Sequence, residues 1–387
     1  MRVALNLEQL LHPPPGGVGR YTAELARLLP VLEARDPEDA VELVPFVAWH
    51  RSGRVRRALR DFGLDGLEPV VLPLPRPVLY DAWHVVGTPG LRRVRRRGGG
   101  LDVVHAPSVA VPPKGSYRLV VTVHDAAPLL FPETYPARGR WFHARGIHAA
   151  ARRADLVITI SQAAADEIDE HTEIDRDRVR VVPNGVDHRE ASDDDVRMAR
   201  SAFDLGDRPY VLWLGSLEPR KNVGMLVEAF ARCVATSDLP HMLVLAGPAG
   251  WREDRDAVLA PARRLGGRVR TVGRVGDDHL AGVYRGADLF AFPSRHEGFG
   301  IPMLEAMAQG TPVVCADIPA LREVAGGAAR LVAPDDPDAW ATALDTLLGD
   351  DAERARLGVA GSRRAAVFSW EQCAVATRAV YREALGR

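Results

Sequence analysis

Short runs rich in valine and leucine alternate with amphipathic stretches along almost the whole of this 387-residue chain. A short apolar run is typical of a buried β-strand, whereas apolar residues spaced three and four apart are typical of a helix. The pattern predicts a first series of strands at residues 2–7, 41–49, 102–105, 119–124, 156–160 and 179–182. It predicts a second series at residues 210–214, 242–246, 269–272, 289–293, 312–315 and 330–332. Helical patterns lie between the strands, for example at residues 21–32, 223–234, 302–309 and 338–347.

Strands that are almost wholly apolar and alternate with helices indicate parallel sheets covered on both faces. Two series of strands predict an α/β protein with two Rossmann-like, doubly wound parallel-sheet domains, and a single (β/α) barrel is the competing layout. A Pro-Asn-Gly turn signal at residues 183–187, followed by an acidic polar stretch, marks the division. We assign residues 1–187 to an N-terminal domain and 188–369 to a C-terminal domain. The final helix, at about residues 370–387, is expected to pack back on the N-terminal domain.

Composition narrows the functional classes. The 50 basic and 51 acidic residues leave a net charge of −1, so no overall field favours nucleic acid or an anionic membrane. The three cysteines are scattered and in no metal-ligand spacing, which is typical of reduced cytoplasmic thiols. The N-terminus becomes polar at Asn6 and Glu8, too early for a signal peptide, and no apolar stretch approaches the ~20 residues of a membrane span.

We therefore expect a cytoplasmic protein, and peripheral contact with the inner face of the membrane stays open. The arginine-rich residues 92–100 are predicted to form an exposed loop. A membrane or nucleic-acid patch is the alternative for this stretch.

The segment at residues 292–305, Phe-Pro-Ser-Arg-His-Glu-Gly-Phe-Gly-Ile-Pro-Met-Leu-Glu, reads as a buried strand, a glycine-bearing turn and a helix start. Pro302 suits a first helical position, where its missing N–H is not needed. The N–H groups at a helix N-terminus form a natural diphosphate site, and glycines let the backbone approach a ligand closely. The residues that would line this site are Gly298, Phe299, Gly300 and Ile301.

Two carboxylates flank this turn, Glu297 before it and Glu305 in the first helical turn. One could accept hydrogen bonds from sugar hydroxyls and the other from the ribose hydroxyls of a nucleotide. The alternative is an acidic cap and a glutamate stabilised by the helix dipole.

A second candidate lies at residues 215–222, Gly-Ser-Leu-Glu-Pro-Arg-Lys-Asn, directly after a predicted strand. Arg220 and Lys221 stand in a strand–loop–helix position where α/β sheets bind ligands. Only Lys114 and Lys221 among the basic residues are lysines, which singles out Lys221. The two cations could neutralise a leaving diphosphate, since a guanidinium can bind two phosphate oxygens and an ammonium acts as a point charge. A solvated basic turn is the alternative.

These segments resemble those of the retaining family-4 glycosyltransferases. Glu297 and Glu305 match the Glu-x7-Glu pattern of that family, within a Pro-Ser-x-x-Glu-Gly-Phe-Gly-x-Pro-x-x-Glu-Ala block. Residues 215–222 are similar to the family's donor-phosphate loop, with Ser216 where many relatives carry arginine. Further matches are the sugar-proximal histidine segment at residues 124–125 and 131–133, the interdomain turn at 183–187 and the glycine loop at 16–20.

The resemblance implies the GT-B fold, in which two Rossmann-like domains face a cleft. It also implies transfer of a hexose from a nucleotide-diphosphate sugar with retention, without a metal or other cofactor, to a glycan, lipid-linked or small-molecule acceptor. The form of residues 215–222 is shared with bacterial polysaccharide mannosyltransferases, which favours GDP-mannose over a UDP- or dTDP-sugar. In this family the leaving phosphate is thought to accept the acceptor proton, so Asp125 receives no catalytic role.

The resemblance assigns individual roles as well. A neutral His124 would face the transferred hexose, although a structural role is the alternative for a lone histidine. Catalytic roles fall to His124, Arg220, Lys221 and Glu297. Donor contacts fall to Gly215, Ser216, Arg220, Lys221, Arg274, Val275, Glu297, Gly298, Phe299, Gly300, Ile301 and Glu305, and the acceptor side to Gly16, Gly17 and Val18.

Other classes explain less of this sequence. A GT-B-like epimerase would need further carboxylates facing the sugar, and a phosphorylase would need a pyridoxal-binding lysine besides Lys221. A nicotinamide-dependent oxidoreductase would rest on the glycines at residues 16–19, whose spacing is not Gly-x-Gly-x-x-Gly. A non-catalytic sugar-binding scaffold would not need the full set of cations and glutamates. The acidic triplet at residues 193–195 is expected to be a solvated turn or helix start and not a metal site.

Overall fold

The computed structural model of the protein describes residues 1–12, 16–33, 39–97, 99–248, 260, 262 and 265–387. The chain divides into two compact units. The first unit comprises Met1–Pro132, Pro136–Gly185 and Trp370–Arg387, and the second comprises Glu133–Tyr135 and Val186–Ser369. Within the described residues, we find no helix with the length and apolar character that crossing a membrane requires.

The first unit is built on one parallel sheet. Its strands are β1 (Arg2–Asn6), β2 (Glu42–Val47), β3 (Val70–Val71), β4 (Val103–Ala106), β5 (Arg118–Thr122), β6 (Leu156–Thr159) and β7 (Val179–Val181). They lie in the order β3-β2-β1-β4-β5-β6-β7. Ala4 of β1 is in register with Val44 of β2 on one side and with Val104 of β4 on the other. The strand order reverses direction between β1 and β4.

The second unit repeats this plan. Its strands are β8 (Tyr210–Leu214), β9 (Met242–Ala246), β10 (Val269–Gly273), β11 (Leu289–Phe292), β12 (Val313–Ala316) and β13 (Arg330–Val332). They lie in the order β10-β9-β8-β11-β12-β13, again all parallel. The reversal of strand order here falls between β8 and β11.

Helices connect the strands in both units. In the first unit they are α1 (Gly17–Leu28), α2 (Ser52–Asp61), α3 (Arg76–Val85), α4 (Arg92–Arg97), α5 (Ala127–Leu130), α6 (Ala137–Arg153) and α7 (Gln162–His171). In the second they are α8 (Asp193–Ala202), α9 (Val223–Thr236), α10 (Asp277–Arg285), α11 (Ile301–Ala308), α12 (Pro319–Ala325), α13 (Pro337–Gly349) and α14 (Asp351–Ala365). The last helix, α15 (Trp370–Ala384), belongs to the first unit and packs against α1, β5 and β6.

The predicted pair of doubly wound parallel sheets is confirmed, and the single barrel is wrong because the strands form two separate sheets. For β8, β9 and β13 the predicted and observed bounds are the same. The two-residue β3 was not predicted, because two residues are too few to show the pattern of apolar positions that indicates a strand. The acidic triplet at residues 193–195 is the first turn of α8, where the Ser192 hydroxyl accepts from the N–H of Asp195 and the Asp195 carboxylate accepts from the N–H of Ser192.

The prediction of an exposed loop at residues 92–100 is wrong for residues 92–97, which form α4. The Val94 side chain is fully buried, and the arginines around it are exposed. One apolar contact therefore anchors a helix made almost entirely of arginine, which is itself a good helix former. Position 98 of this stretch lies outside the described residues.

A buried polar chain joins four elements of the first unit. The Nδ1 atom of His105 on β4 lies 2.7 Å from the hydroxyl of Tyr381 on α15, and its Nε2 atom lies 2.8 Å from the hydroxyl of Thr122 on β5. The Thr122 hydroxyl in turn lies 3.0 Å from that of Tyr21 on α1. Burial, followed by the charge of His124, lowers the pKa of His105 to about 3. A neutral ring donates through one nitrogen and accepts through the other, so each ring nitrogen is satisfied and α15 is fixed to the sheet.

We expect Tyr381→Phe to lower the free energy of unfolding by about 1–3 kcal/mol, because one nitrogen of the buried His105 ring would lose its partner. Val375→Ala, at a side chain of the same helix that is 47% exposed, should change it by less than about 0.5 kcal/mol. Urea denaturation of the two variants and the parent protein measures both changes. Equal stability of the two variants would contradict the role given to this hydrogen bond.

Candidate active site

The reversal of strand order in the second sheet positions the candidate residues. All strands are parallel, so their carboxyl ends lie at one edge of the sheet, and the loops after β8 and β11 diverge at the point of reversal. In open α/β sheets, ligands bind in the crevice that forms at such a point. The loop after β8 carries Arg220 and Lys221, and the loop after β11 carries Glu297. Two segments 76 residues apart are thereby brought into contact.

Backbone hydrogen bonds hold the neighbouring strand ends tightly together. The N–H of Gly215 donates to the Ala246 carbonyl at 2.9 Å, and the N–H of Gly247 donates to the Gly273 carbonyl at 2.7 Å. A Cβ atom on Gly247 would lie 1.7 Å from the Gly215 carbonyl oxygen, and its φ is +137°, so only glycine fits there. Arg274 and Val275 follow in the loop between β10 and α10, where Arg274 is exposed and Val275 is half-buried.

The loop after β8 folds into one 3-10 turn at Pro219–Lys221. Proline at the first position of this turn has no N–H that needs a partner. The turn ends at Asn222, which has a φ of +56°, in the left-handed region that asparagine tolerates. Its side-chain amide donates to the Pro334 carbonyl at 2.7 Å and so fixes the turn to the segment that follows β13. The turn presents the two preceding cations to the loop after β11.

Both cations contact the same carboxylate. The Lys221 Nζ atom donates to Glu297 Oε1 at 2.6 Å, and an Arg220 guanidinium nitrogen lies 3.4 Å from Glu297 Oε2. The same guanidinium nitrogen donates to the His296 carbonyl at 2.5 Å. The side chains of all three charged residues are between 10% and 13% exposed. A close ion pair with so little solvent around it is only weakly screened.

Glu218 completes the charge cluster. Its carboxylate accepts a hydrogen bond from the Ser216 hydroxyl and lies 3.6 Å from a guanidinium nitrogen of Arg220. Sequence reasoning gave Glu218 no role, although its place between Ser216 and Arg220 in the loop was a usable signal. Ser216 thus belongs to the same hydrogen-bonded loop as Arg220.

The two cations keep Glu297 ionised. Burial by itself raises the pKa of this carboxyl, but the charges of Lys221 and Arg220 and the hydrogen bond from Lys221 outweigh it, and the net result is a pKa of about 2. Glu297 is therefore a carboxylate at neutral pH, able to accept hydrogen bonds but not to donate a proton.

The loop after β11 leads into α11 much as the sequence predicts. Gly300 precedes the helix with a φ of +101°, and a Cβ atom there would lie 2.6 Å from the Leu321 side chain. Gly298 and Phe299 before it are buried. Because the helix begins at Ile301 and not at Pro302, Glu305 lies in the second turn, and its predicted place in the first turn is wrong. Glu305 accepts a hydrogen bond of 2.8 Å from the buried Tyr284 hydroxyl, a partner that the sequence did not indicate.

His124 lies in the first unit, two residues beyond the end of β5 and not on the strand itself. Its Nε2 atom is 2.9 Å from the Pro107 carbonyl oxygen, and the Tyr21 ring packs edge-on against it with 5.2 Å between ring centroids. Burial lowers the pKa of His124, and the hydrogen bond to Pro107 and the Asp125 carboxylate oppose that effect only in part. A carbonyl can only accept, so the neutral ring carries its proton on Nε2 and a lone pair on Nδ1.

Most of the glycine segment predicted on the acceptor side belongs to α1 and not to a loop before it. Gly16 is the extended residue before the helix, and Gly17 and Val18 are in its first turn, so the predicted start of this helix at residue 21 is wrong. Glycine is a poor helix former, which hid the first turn from the sequence pattern. Burial of Gly19 and Tyr21 in the first unit supplies the missing stability.

The structure thus groups the site residues in two sets. In the second unit it brings Ser216, Arg220, Lys221 and Glu297 into one cluster. His124 lies in the first unit, where it contacts the Pro107 carbonyl and the Tyr21 ring. Among the described residues, no group of three or more His, Cys, Asp or Glu side chains is arranged to hold a metal ion. The cluster of the second unit can bind an anion through its cations and accept hydrogen bonds through its carboxylates.

Known proteins match both units. The profile described as "Glycosyltransferase Family 4" matches residues 15–190, and the one described as "Glycosyl transferases group 1" matches residues 208–350. The solved structure of HepE from Anabaena in complex with UDP-glucose superposes with a TM-score of 0.73 at 21% identity and covers 100% of this chain and 99% of that one.

Two curated relatives match along their full length. The O-antigen chain mannosyltransferase B of Escherichia coli is 28% identical over 403 residues, which cover 99% of this chain and 100% of that protein. The MMP alpha-(1->4)-mannosyltransferase of Mycolicibacterium hassiacum is 30% identical over 440 residues, which cover 100% of this chain and 99% of that protein. With the fold, the order of the motifs and these matches in agreement, the chain belongs to the family-4 glycosyltransferases.

Proposed function

We propose that this glycosyltransferase transfers a hexose from a nucleotide-diphosphate sugar, with retention of the anomeric configuration and without a metal ion. The favoured donor is GDP-mannose, and UDP- or dTDP-sugars are the alternatives. The observation that carries the proposal is the pair of cations, Arg220 and Lys221, which lie almost buried at the point of strand reversal beside Glu297. A departing diphosphate develops negative charge, and cations already held in place stabilise it without reorganisation. They supply the neutralisation that a divalent metal supplies in other transferases.

The site and the relatives both support this choice of donor. The first turn of α11 begins directly after the loop that carries Glu297, so a diphosphate at its N–H groups would lie close to both loops. The carboxylate of Glu297 would then accept from sugar hydroxyls, and Glu305 from the ribose hydroxyls. Two full-length relatives are named as mannosyltransferases, which supports mannose. HepE was solved in complex with UDP-glucose, which supports a nucleotide sugar as the class of donor.

We propose that His124 contacts the transferred hexose as a hydrogen-bond acceptor. Its Nε2–H is occupied by the Pro107 carbonyl, which leaves the Nδ1 lone pair for a sugar hydroxyl such as the 6-hydroxyl. Gly16, Gly17 and Val18 stay the proposed acceptor side. The acceptor itself is a hydroxyl of a glycan, a lipid-linked sugar or a small molecule, and a cytoplasmic protein at the inner face of the membrane would suit the lipid-linked kind.

We expect GDP or UDP to bind in the presence of a chelator, and Lys221→Ala to weaken that binding by about 1.5–3 kcal/mol, as for the loss of a charge-assisted hydrogen bond. Calorimetry with and without the chelator measures both. Lys114→Ala is the matched control, because Lys114 is the other lysine of the chain and lies in the first unit with 59% of its side chain exposed. Binding that disappears with the chelator would overturn the metal-free proposal.

The stereochemical outcome follows from same-face attack, in which a β-phosphate oxygen guides the acceptor hydroxyl while Arg220 and Lys221 hold the leaving group. We therefore expect an α-linked donor to yield an α-linked product. Proton NMR of the new linkage, formed from GDP-mannose and a mannoside acceptor, distinguishes the two anomers. A β-linked product would require a base in line with the leaving group and would make His124 or Asp125 a candidate for it.

The protonation state of His124 can be tested without a donor or an acceptor. Because burial lowers its pKa, we expect a neutral ring with the proton on Nε2 at pH 6.5 and above. Nitrogen-15 NMR of labelled protein reports the protonation of both ring nitrogens, and His124→Ala identifies the signal. A ring protonated on both nitrogens at pH 6.5 would exclude the acceptor role that we give to Nδ1.

A further inference from the structure

The two cations that the proposed function assigns to the diphosphate are bound to Glu297 in this structure. The ammonium of Lys221 has three donors, and one of them points at Glu297 Oε1 at 2.6 Å. The guanidinium of Arg220 is shared among Glu218, Glu297 and the His296 carbonyl. A phosphate oxygen that approaches either cation therefore meets a carboxylate that is already bound to it.

The two carboxylates of the cluster also cancel the net attraction that its two cations would exert on a bare anion. Glu218 and Glu297 carry two negative charges against the two positive charges of Arg220 and Lys221, so the four side chains together are neutral. A nucleoside diphosphate has a terminal phosphate that loses its second proton near pH 6, and it therefore carries about one more negative charge than the nucleotide sugar. Repulsion by Glu297 acts more strongly on the free diphosphate than on the donor.

The nucleotide sugar carries a hexose that can satisfy Glu297, whereas the free nucleoside diphosphate does not. When the hexose is present, its hydroxyls can donate to the Glu297 carboxylate and replace the hydrogen bond from Lys221, and the ammonium is then available to the phosphates. The free nucleoside diphosphate has no hydroxyl at that position. Its binding would leave a buried carboxylate short of partners, which is costly.

We propose that Glu297 makes the site distinguish the nucleotide sugar from the nucleoside diphosphate that remains after transfer, by competing with the phosphates for Lys221 and Arg220. This inference rests on the proposed donor site. It gives Glu297 a second role after transfer, because the carboxylate returns to the two cations once the sugar has left and so promotes release of the product. Specificity here comes from an element that opposes the wrong ligand.

Calorimetry with GDP and with GDP-mannose, in the parent protein and in Glu297→Gln, tests the inference. The glutamine keeps the shape of the side chain but removes its charge. We expect the Kd of GDP to fall about tenfold in this variant, while the Kd of GDP-mannose changes by less than about threefold, so that the preference for the donor is lost. The inhibition constant of GDP in the transfer reaction should fall with its Kd.

Two further variants separate this effect from simpler ones. Glu305→Gln should weaken GDP and GDP-mannose by the same factor, because both carry the ribose. Glu297→Asp keeps the charge but shortens the reach to Lys221, so it should tighten GDP by less than the glutamine does. The aspartate variant decides the question if Glu297→Gln does not fold.

The outcomes are distinguishable from those of the proposed function. If Lys221→Ala weakens GDP and the Glu297 variants bind GDP no more tightly than the parent, Glu297 is only a ligand of the sugar and the inference is wrong. If the parent protein binds neither GDP nor UDP, or Lys221→Ala binds them equally well, the proposed donor site fails and the inference fails with it.

Discussion

Both functional loops of the second unit depend on one topological constraint, the parallel alignment of every strand around a reversal of strand order. Parallel strands place all their carboxyl ends at one edge of the sheet, and the reversal between β8 and β11 makes the two following loops diverge at that edge. This arrangement brings Arg220 and Glu297, which are far apart in sequence, into one cluster.

The charged side chains of the cluster at this edge are satisfied by contacts with one another. Two cations and two carboxylates in a nearly buried position would each be costly alone, but alternating contacts satisfy them. The same contacts set the electrostatics of the site, since Lys221 and Arg220 hold the pKa of Glu297 at about 2. The proposed donor would therefore replace existing partners, and the partner it offers to Glu297 would matter as much as the charge it offers to the cations.

In the first unit, neutral polar groups attach the C-terminal helix to the sheet. Its chain of hydroxyl and imidazole groups, from Tyr381 through His105 and Thr122 to Tyr21, fixes the C-terminal helix to a sheet formed by the first half of the chain. Tyr21 also packs against His124, so the residue proposed to contact the hexose rests on the same buried framework. The scaffold and the candidate site of this unit thus share side chains.

The sequence alone determined the class of fold and most of the strands, because buried parallel strands read as continuous apolar runs that short-range patterns reveal. Motifs whose spacing is local also predicted Arg220, Lys221, Glu297 and Glu305 as residues of the candidate site. Tertiary structure decided what local patterns do not contain: that Glu297 binds Lys221, that Glu218 and Tyr284 join the site, and that α1 begins at its glycines. These depend on contacts between residues distant in sequence and on burial that overrides weak helix propensity, and both arise only when the sheets are assembled.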